Sequence, residues 1–456
     1  MVSSQPIHVP LAPIPSVASI PPADVPITGT VAIETHGCKL NQADSAVLAR
    51  EFVQAGCRLV DQKSDADIIV VNTCTVTATA DSKARQALRA AHRSNPDAVV
   101  VAAGCYPQRA ADELRRMPEV SLVVGNSDKS TLADLAIAEL SRRGGQQRTD
   151  IVPNGSAGIL RRSRAMVKIQ EGCDQVCAYC IVPKVRGRER SIPPDTLVST
   201  VQQHVASGFK EVSLTGTQLG TYGFDLQGIN LAKLLDRILR ETGIPRLRVS
   251  SLQAHEISPE LLELWEEPRL CPHFHVPLQS GSNIILRAMR RRYDTPQFRD
   301  ALERIRETVP GVSITTDIIV GFPGEDAQAH AESLAFAEEM AFADIHVFPY
   351  SQRPGTTAHH LPDQVAPDVK RNRVAEMNSM AAAAFGNHRQ RILGHRRPVL
   401  WETARPDADT NLMRWSGLTD NYVRVHTGTR RDLANRFTDA YLVEIDGKSV
   451  LSRIPD

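Results

Sequence analysis

The sequence predicts an α/β protein with an N-terminal parallel α/β domain, a central partial (β/α)6 barrel and a small C-terminal antiparallel β barrel. Short apolar runs alternate with helix-patterned stretches over residues 29–145, which is typical of a parallel sheet covered by helices. Six strand-like runs separated by amphipathic helices follow over residues 159–391. Over residues 392–456 the runs become short and alternating, with intervening glycine and aspartate, as in small β barrels.

The N-terminal segment, residues 1–28, contains seven prolines and no lysine or arginine. It matches neither a secretory signal nor an Arg-rich transit peptide, so it predicts a disordered extension. The chain has eight cysteines, and without an export signal these favour a reducing cytosol and metal binding over disulfides. No apolar run approaches the roughly 18 residues of a spanning helix. We therefore expect a soluble, cytoplasmic protein that does not associate with membranes.

Three predicted strands of the N-terminal domain end at or near a cysteine. Ligands gather at the carboxyl ends of strands in open parallel sheets, so these three thiols are expected to converge. Buried packing is the alternative for each cysteine, but turn-forming or polar neighbours favour a three-cysteine metal cluster. The predicted strands are Val31–Thr35, Ile68–Thr73, Val99–Ala103 and Leu122–Gly125, and the three cysteines are Cys38, Cys74 and Cys105.

A polar stretch over residues 141–164 predicts the linker to the central barrel. The reactive groups of such barrels lie on the loops after the strands, so the loop after the first strand is of special interest. The six predicted strands are Met166–Gln170, Glu211–Thr215, Arg246–Ser251, His273–Leu278, Ser313–Val320 and Ala343–Tyr350.

The loop after the first barrel strand holds three more cysteines, Cys173, Cys177 and Cys180, spaced Cys-x3-Cys-x2-Cys. Three thiolates can hold three irons of a [4Fe-4S] cluster and leave the fourth iron open for a ligand that reacts. A zinc site is the alternative, but zinc needs a fourth ligand, and the later candidates His204 and His255 belong to separate predicted elements. The ligand count favours an open-site cluster.

The C-terminal region has predicted strands at Arg397–Glu402, Asn421–His426 and Ala440–Ile445. Residues 388–456 carry 12 lysines and arginines against 9 acidic residues, with Trp415 and Tyr422 among them. Aromatic and basic side chains suit stacking on bases and contacts to phosphates. A β domain that binds no nucleic acid remains the alternative.

The string Gly-Cys-Asp-Gln-Val-Cys-Ala-Tyr-Cys at residues 172–180 resembles the radical S-adenosylmethionine signature, in which Tyr179 would lie near the adenine. From about residue 29 onward the chain resembles a methylthiotransferase. The supporting strings are Thr-His-Gly-Cys-Lys-Leu-Asn-Gln at 35–42, Asn-Thr-Cys-Thr-Val-Thr at 72–77, Pro-Leu-Gln-Ser-Gly-Ser at 277–282, Asp-Ile-Ile-Val-Gly-Phe-Pro-Gly-Glu at 317–325 and Phe-Pro-Tyr-Ser-Gln-Arg-Pro-Gly-Thr at 348–356.

The first cysteine string resembles most the branch of this family that acts on N6-threonylcarbamoyladenosine of tRNA, next to the anticodon. The C-terminal string Gly-Leu-Thr-Asp-Asn-Tyr-Val-Arg-Val at 417–425 resembles the small RNA-binding TRAM barrel at the end of this family. The resemblance implies two [4Fe-4S] clusters, one on each cysteine triad, together with S-adenosylmethionine. It also implies a tRNA anticodon loop as substrate, an electron donor such as a flavodoxin or ferredoxin, and a sulfur source.

The resemblance further implies that the two cysteine triads have different roles in the reaction. One electron would pass from the cluster on Cys173, Cys177 and Cys180 into S-adenosylmethionine, whose cleavage gives a 5′-deoxyadenosyl radical. A radical is needed because the hydrogen on C2 of adenine is unactivated. The auxiliary cluster carries the sulfur, and a second S-adenosylmethionine supplies the methyl group.

Further residues at strand ends or on basic segments are candidate contacts, although each has an ordinary structural alternative as a cap, a turn or a solvated face. Those for S-adenosylmethionine or substrate are Tyr179, Thr215, Gly216, Gln218, Gln279 and Asp317. Those for RNA are Arg186, Arg188, Trp415, Asn421, Tyr422 and Arg424, with Arg290, Arg291 and Arg292 as further phosphate contacts.

Two other functions remain open at this stage. The same chemistry would also serve tRNA carrying N6-isopentenyladenosine, or a ribosomal protein side chain. A non-catalytic iron-sulfur or zinc protein that binds RNA is the remote alternative, and it predicts a bound metal without cleavage of S-adenosylmethionine.

Overall fold

The computed structural model describes residues 28–144, 163–407 and 410–455. The predicted extension at 1–28, apart from Thr28, and most of the predicted linker at 141–164 lie outside these ranges. No helix within the described ranges is long and apolar enough to cross a membrane.

The N-terminal domain is a five-stranded parallel sheet in the order β2-β1-β3-β4-β5. Strands β3 and β4 are buried at every position, because helices cover both faces of the sheet. The short edge strand β2 carries no extended apolar run and was not predicted. The elements are β1 (Gly29–Thr35), α1 (Lys39–Gln54), β2 (Cys57–Leu59), β3 (Ile68–Thr73), α2 (Ala78–Ser94), β4 (Val99–Gly104), α3 (Cys105–Arg115), β5 (Leu122–Gly125) and α4 (Leu132–Arg142).

The central domain contains two parallel three-stranded sheets, β10-β9-β6 and β11-β12-β13, joined by a bridge between Ser251 and His275. Six parallel strands in chain order form the partial barrel that the sequence predicts. Its strands are β6 (Arg164–Lys168), β9 (Glu211–Thr215), β10 (Arg246–Val249), β11 (His273–His275), β12 (Ser313–Val320) and β13 (Asp344–Pro349), and the ribbon β7 (Gln170–Glu171) with β8 (Arg190–Ser191) flanks the cysteine loop.

The helices of the central domain pack around these strands and bury the largest apolar core of the described chain. Amphipathic helices separate the strands as predicted, and Thr295–Thr308 begins with a capping box formed by Asp294 and Gln297. The helices are α5 (Val182–Arg186), α6 (Pro194–Ala206), α7 (Leu231–Glu241), α8 (Pro259–Glu263), α9 (Asn283–Ala288), α10 (Thr295–Thr308), α11 (Ala327–Glu339) and α12 (Pro367–Ile392).

The C-terminal region is a closed five-stranded barrel in the order β14-β15-β16-β18-β17. Four of its strand pairings are antiparallel, whereas β16 and β18 run parallel. Trp401 and Trp415 lie in its core. The strands are β14 (Arg396–Pro406), β15 (Met413–Thr419), β16 (Arg424–Thr429), β17 (Phe437–Asp446) and β18 (Ser449–Arg453).

The C-terminal barrel is attached to the central barrel through buried charges on two neighbouring strands. Arg246 and Arg248 of β10 share the carboxylate of Glu211 on β9 and also donate to main-chain carbonyls of residues 418–420. Burial alone would raise the pKa of Glu211, but the two guanidinium groups outweigh it and hold that pKa at about 2. The carboxylate therefore stays ionised and fixes both arginines toward the C-terminal barrel.

Candidate active site

Three cysteines from separate strand ends form a group that we call the dispersed cysteine set, Cys38, Cys74 and Cys105. In the strand order of this sheet the topological switch point lies between β1 and β3, where ligands bind beyond the carboxyl ends. Cys38 follows β1 and Cys74 follows β3. Burial chiefly, and the nearby thiols of Cys105 and Cys38 in addition, raise the pKa of the Cys74 thiol to about 11. The three thiols therefore share one space, as the sequence predicts.

Asparagine side chains hold the loops of the dispersed set together. Asn41 donates to the main-chain carbonyls of His36, at 2.7 Å, and Thr73, at 3.1 Å. Asn72 donates to the main-chain carbonyl of Asn41 at 2.9 Å. These bonds lock the Cys38 loop against the Cys74 loop, so the spacing of the two thiols is set by buried amides.

A second group, the compact cysteine set, is Cys173, Cys177 and Cys180 in the loop after β7. The backbone N–H groups of Gln175 and Val182 point at the sulfurs of Cys173 and Cys180. Burial raises the pKa of Cys173 to about 11 and that of Cys180 to about 12. Thiols with raised pKa values are protonated at neutral pH, so binding a metal cluster here releases protons.

Gly172 permits the tight start of this loop. Its φ is +79°, and a Cβ at this position would lie 1.9 Å from the carbonyl oxygen of Arg188. The side chain of Gln170 donates to the carbonyl of Gly172 at 2.9 Å and accepts from the backbone N–H groups of Thr217 and Gln218, each at 2.9 Å. One buried amide therefore fixes the cysteine loop against the loop that follows β9.

A buried ionic cluster, Asp44, Lys129, Lys168, Glu171 and Arg186, lies between the two cysteine sets. Asp44, 2% exposed, pairs with Lys168 at 2.8 Å, Lys129 at 2.9 Å and Arg186 at 3.1 Å. Burial would raise the pKa of Asp44, but the three cations hold it well below its usual range. Because Lys168, Glu171 and Arg186 belong to the barrel, this cluster joins the two domains.

Helix α5 brings the two cysteine sets close together. It begins two residues after Cys180, and Ile181 and Val185 pack against Cys105 of the other set. Asn126 donates to the carbonyl of Val185 at 2.8 Å and to the sulfur of Cys105 at 3.4 Å. Burial would lower the pKa of Arg186, but Asp44, Cys105, Glu171 and Cys38 hold it well above its usual range. The guanidinium therefore lies near the dispersed set.

The predicted S-adenosylmethionine contacts fall into two groups. The first surrounds the compact set: Arg291 donates to the Cys177 sulfur and to the Tyr179 hydroxyl, each at 3.4 Å, and to Gln253 at 2.9 Å. Gln253 in turn donates to Gln218 at 2.6 Å. Thr215 ends β9, and Gly216 follows it beside Gln170. Since Gln170 bonds both Gln218 and Gly172, these three predicted contacts lie near the start of the cysteine loop that contains Tyr179.

The second group lies on the neighbouring strands. Gln279, at φ +70°, donates its N–H to the carbonyl of Asp317 at 2.8 Å. The Asp317 carboxylate contacts His275 at 3.2 Å and His346 at 3.0 Å. Neither histidine was predicted as a site residue. Both lie on predicted barrel strands, whose alternate side chains face the barrel interior, and this position was the signal that could have identified them.

The residues predicted to contact RNA do not lie on one surface. Arg188 is exposed beside Asp174, and Arg424 is half-buried beside Glu402. Of the other four residues first named as RNA contacts, Arg186, Trp415 and Asn421 are buried and Tyr422 is half-buried. Arg186 joins the ionic cluster, Trp415 packs in the C-terminal core, Asn421 bonds Thr419, and the Tyr422 ring stacks on His273 at 4.4 Å. Sequence patterns did not reveal these packing roles, and the RNA contacts stay a prediction.

Both cysteine sets suit an iron-sulfur cluster better than a single zinc ion, because of their ligand count. A structural zinc site has four protein ligands. Each set offers three thiols, which suits a [4Fe-4S] cluster with one open iron. Cys57 and Cys271, in contrast, are packing residues, 0% and 2% exposed.

Comparisons with known proteins agree with this arrangement. A model described as the Radical SAM superfamily matches residues 167–337, and one described as Uncharacterized protein family UPF0004 matches residues 30–125. A solved structure of the radical S-adenosylmethionine methyltransferase TsrM from Kitasatospora setae superposes with a TM-score of 0.51. The superposition covers 72% of this chain and 76% of that one at 15% identity, which supports the fold alone.

Curated relatives cover nearly the whole chain. The threonylcarbamoyladenosine tRNA methylthiotransferase MtaB of Bacillus subtilis (strain 168) is 37% identical over 87% of this chain and 90% of its own length. The protein of the same name from Aquifex aeolicus (strain VF5) is 42% identical over 75% of this chain and 86% of its own. Likeness of this extent is not explained by a shared barrel alone. This chain belongs to the threonylcarbamoyladenosine tRNA methylthiotransferase family of radical S-adenosylmethionine enzymes.

Proposed function

We propose that this protein adds a methylthio group to C2 of N6-threonylcarbamoyladenosine adjacent to the anticodon of tRNA. The strongest support is that helix α5 brings the two three-cysteine sets, which lie in different domains, close together. A single radical site needs one such set, whereas insertion of a sulfur-containing group calls for a second site that carries the sulfur. The names of the curated relatives favour the same substrate.

Each cysteine set supplies three thiolates, so each suits a [4Fe-4S] cluster with one open iron. When bound, the clusters and S-adenosylmethionine supply the radical, the sulfur and the methyl group, none of which protein side chains offer. The compact set would bind the cluster that faces S-adenosylmethionine. The dispersed set would bind the auxiliary cluster.

The side chains around the compact set orient and shield the reacting groups. Arg291 spans Cys177, Tyr179 and Gln253, so its position fixes the ring of Tyr179 relative to the cysteine loop. Burial would lower the pKa of Arg291, but the neighbouring Tyr179 and Tyr293 raise it instead. Its charge thus persists beside the thiolates, where it lowers the electrostatic cost of three adjacent negative sulfurs.

A tRNA anticodon loop suits this buried site. The target base has to leave its stack, and this costs least in a single-stranded loop. The proposal also includes an electron donor such as a flavodoxin or ferredoxin, a separate sulfur source and a cytoplasmic location. Each follows from the chemistry, since an iron-sulfur reaction on tRNA needs electrons, sulfur and access to tRNA.

The test is mass spectrometry of nucleosides from tRNA incubated with the cluster-reconstituted protein, S-adenosylmethionine and a strong reductant. The proposal expects 2-methylthio-N6-threonylcarbamoyladenosine to form and the unmethylthiolated nucleoside to fall. Formation of methylthio-isopentenyladenosine instead, or modification of ribosomal protein only, would contradict it. Cleavage of S-adenosylmethionine without any methylthio product would contradict it as well.

A further inference from the structure

The interior face of strands β11 to β13 changes from polar to apolar along its length. Side chains alternate between the two faces of a strand, and Ile318 and Val320 lie in the core under the helices. Asp317 and Ile319 therefore face the barrel interior. In the parallel register Asp317 lies beside His346, and Ile319 lies beside Phe348.

Asp317 is held between two histidines. Its Oδ1 is 3.0 Å from Nδ1 of His346, its Oδ2 is 3.2 Å from Nε2 of His275, and His275 also contacts Thr315 at 2.9 Å. Hydrogen bonding to Asp317 raises the pKa of His346, which favours its charged form. The His346 side chain is 52% exposed, and no described residue hydrogen-bonds its Nε2. A donor is therefore left facing the interior.

Lys39 supplies a second positive charge to the same space. Its ammonium lies 5.2 Å from the centre of the Tyr422 ring, and that ring stacks on His273 of β11. Within the described ranges, Lys39 forms no ion pair with a carboxylate. The charges of Lys39 and His346 also act on the pKa of His273, which burial chiefly lowers. Lys39 also acts on the pKa of His346 itself, so the ammonium and the imidazole are neighbours. In the described ranges the one carboxylate paired with either of them is that of Asp317, which two histidines share.

The two ends of this face each lie beside one cysteine set. Lys39 is the residue after Cys38 of the dispersed set. At the other end, Ile319 and Tyr179 pack in one apolar cluster, which places the wall next to the compact set. Phe348, 42% exposed on the edge strand β13, adds an aromatic ring beside Ile319. A base held against this apolar end would direct a polar substituent toward His346 and Lys39.

We propose that His346, oriented by Asp317 and His275, and Lys39 bind the carboxylate of the threonyl group on N6 of the target adenosine. The inference rests on the proposed function and deepens it, because it assigns a specificity site to that substrate. Two positively charged donors at one end and an apolar wall at the other match an adenine that carries an anionic substituent. They do not match an adenine with a prenyl substituent, which offers no acceptor to Nε2 of His346 or to the Lys39 ammonium.

The test measures binding of anticodon stem-loop RNA to the cluster-reconstituted protein by fluorescence anisotropy, without reductant. One RNA carries threonylcarbamoyladenosine, and a second carries its carboxamide, which is neutral and nearly the same shape. Wild type is expected to prefer the acid by about tenfold or more, as a charge-assisted hydrogen bond allows. His346→Gln should reduce this preference severalfold, because only Lys39 is left to contact the carboxylate, and the double variant with Lys39→Gln should bring it to near one. His92→Gln, on helix α2, is the matched control and should keep it.

Equal binding of the two RNAs by wild type, or an undiminished acid preference in His346→Gln, would overturn the inference. An acid preference abolished by EDTA would also overturn direct contact, since it would assign these side chains to a bridging metal ion. Methylthiolation by the wild-type protein distinguishes a failure of this carboxylate site from a failure of the proposed function. Methylthiolation of threonylcarbamoyladenosine without an acid preference overturns only the carboxylate site, whereas methylthiolation of isopentenyladenosine instead overturns both.

Discussion

The two cysteine sets each offer three thiols, but one is local in the sequence and the other is assembled from distant segments. The compact set lies within eight residues of one loop, whereas the dispersed set draws on three loops that span residues 38–105. A local loop needs only its own backbone and a few anchors, such as Gln170 and Gly172. The dispersed set needs a complete sheet, two buried asparagines and the ionic cluster around Asp44. We therefore expect the dispersed set to be the more sensitive of the two to changes in the scaffold.

The largest effects should come from removing each set in turn. With Cys173, Cys177 and Cys180 all changed to Ala, we expect loss of both 5′-deoxyadenosine formation and methylthiolation. With Cys38, Cys74 and Cys105 changed to Ala, 5′-deoxyadenosine should still form while methylthiolation is lost. Chromatography of reaction mixtures measures both products. Loss of 5′-deoxyadenosine from the second variant would show that the sets do not have separate roles.

Asp44→Asn tests whether the dispersed set depends on the ionic cluster. Removing this carboxylate leaves Lys129, Lys168 and Arg186 buried with less compensation, which should cost about 3–5 kcal/mol in the free energy of unfolding. Urea denaturation measures this, and iron analysis should show greater loss from the dispersed set. Asp112→Asn removes an exposed pair with Arg115 and should change neither quantity measurably.

The same variant has a predicted pH dependence. Because the pKa of Asp44 is held well below its usual range, its stabilisation is fully present above the ordinary aspartate pKa of about 4 and is lost as pH falls toward the folded-state pKa. The difference in unfolding free energy between wild type and Asp44→Asn should be constant from pH 7 to pH 5 and shrink below pH 4. A difference that grows on acidification would contradict this assignment.

Glycine substitutions compare the two loops directly. Gly37→Ala places a Cβ 2.6 Å from the Cβ of Cys74 at φ +104°, and Gly172→Ala places one 1.9 Å from a carbonyl oxygen. Each should destabilise its loop by about 1–3 kcal/mol and lower iron content in its own set. Gly144→Ala, at φ +79° with open space around it, keeps the backbone strain without the clash. If all three variants lose the same amount of iron, the clashes are unimportant.

The smallest effect concerns RNA. Arg188 follows the compact set and is 87% exposed, whereas Trp415 lies in the C-terminal core. If Arg188 contacts a phosphate, Arg188→Ala should weaken tRNA binding and lower the salt slope of the affinity by about one. Trp415→Phe should leave that slope unchanged. Titrations at several salt concentrations measure it, and an unchanged slope for Arg188→Ala would remove this residue from the interface.

Sequence patterns predicted the parts of this protein in which local rules dominate. The four longer N-terminal strands, all six barrel strands and both cysteine sets follow from periodicity, strand ends and ligand spacing. The ionic cluster was missed, because Asp44 and Lys168 are 124 positions apart and have no shared motif. Tyr422 shows the same limit: an aromatic residue among basic ones predicted RNA stacking, but its contacts with His273 and Arg248 were not predicted. Contacts between domains depend on tertiary placement, which periodicity does not encode.

The most direct test of two separate clusters is the iron and acid-labile sulfide content after anaerobic reconstitution. Two [4Fe-4S] sites predict about eight irons and eight sulfides per wild-type chain, and about four of each in either triple-Ala variant. About four irons in wild type and none in the variant lacking Cys173, Cys177 and Cys180 would contradict the account. The dispersed set would then hold no cluster, and the protein would be a radical enzyme with a single iron-sulfur site.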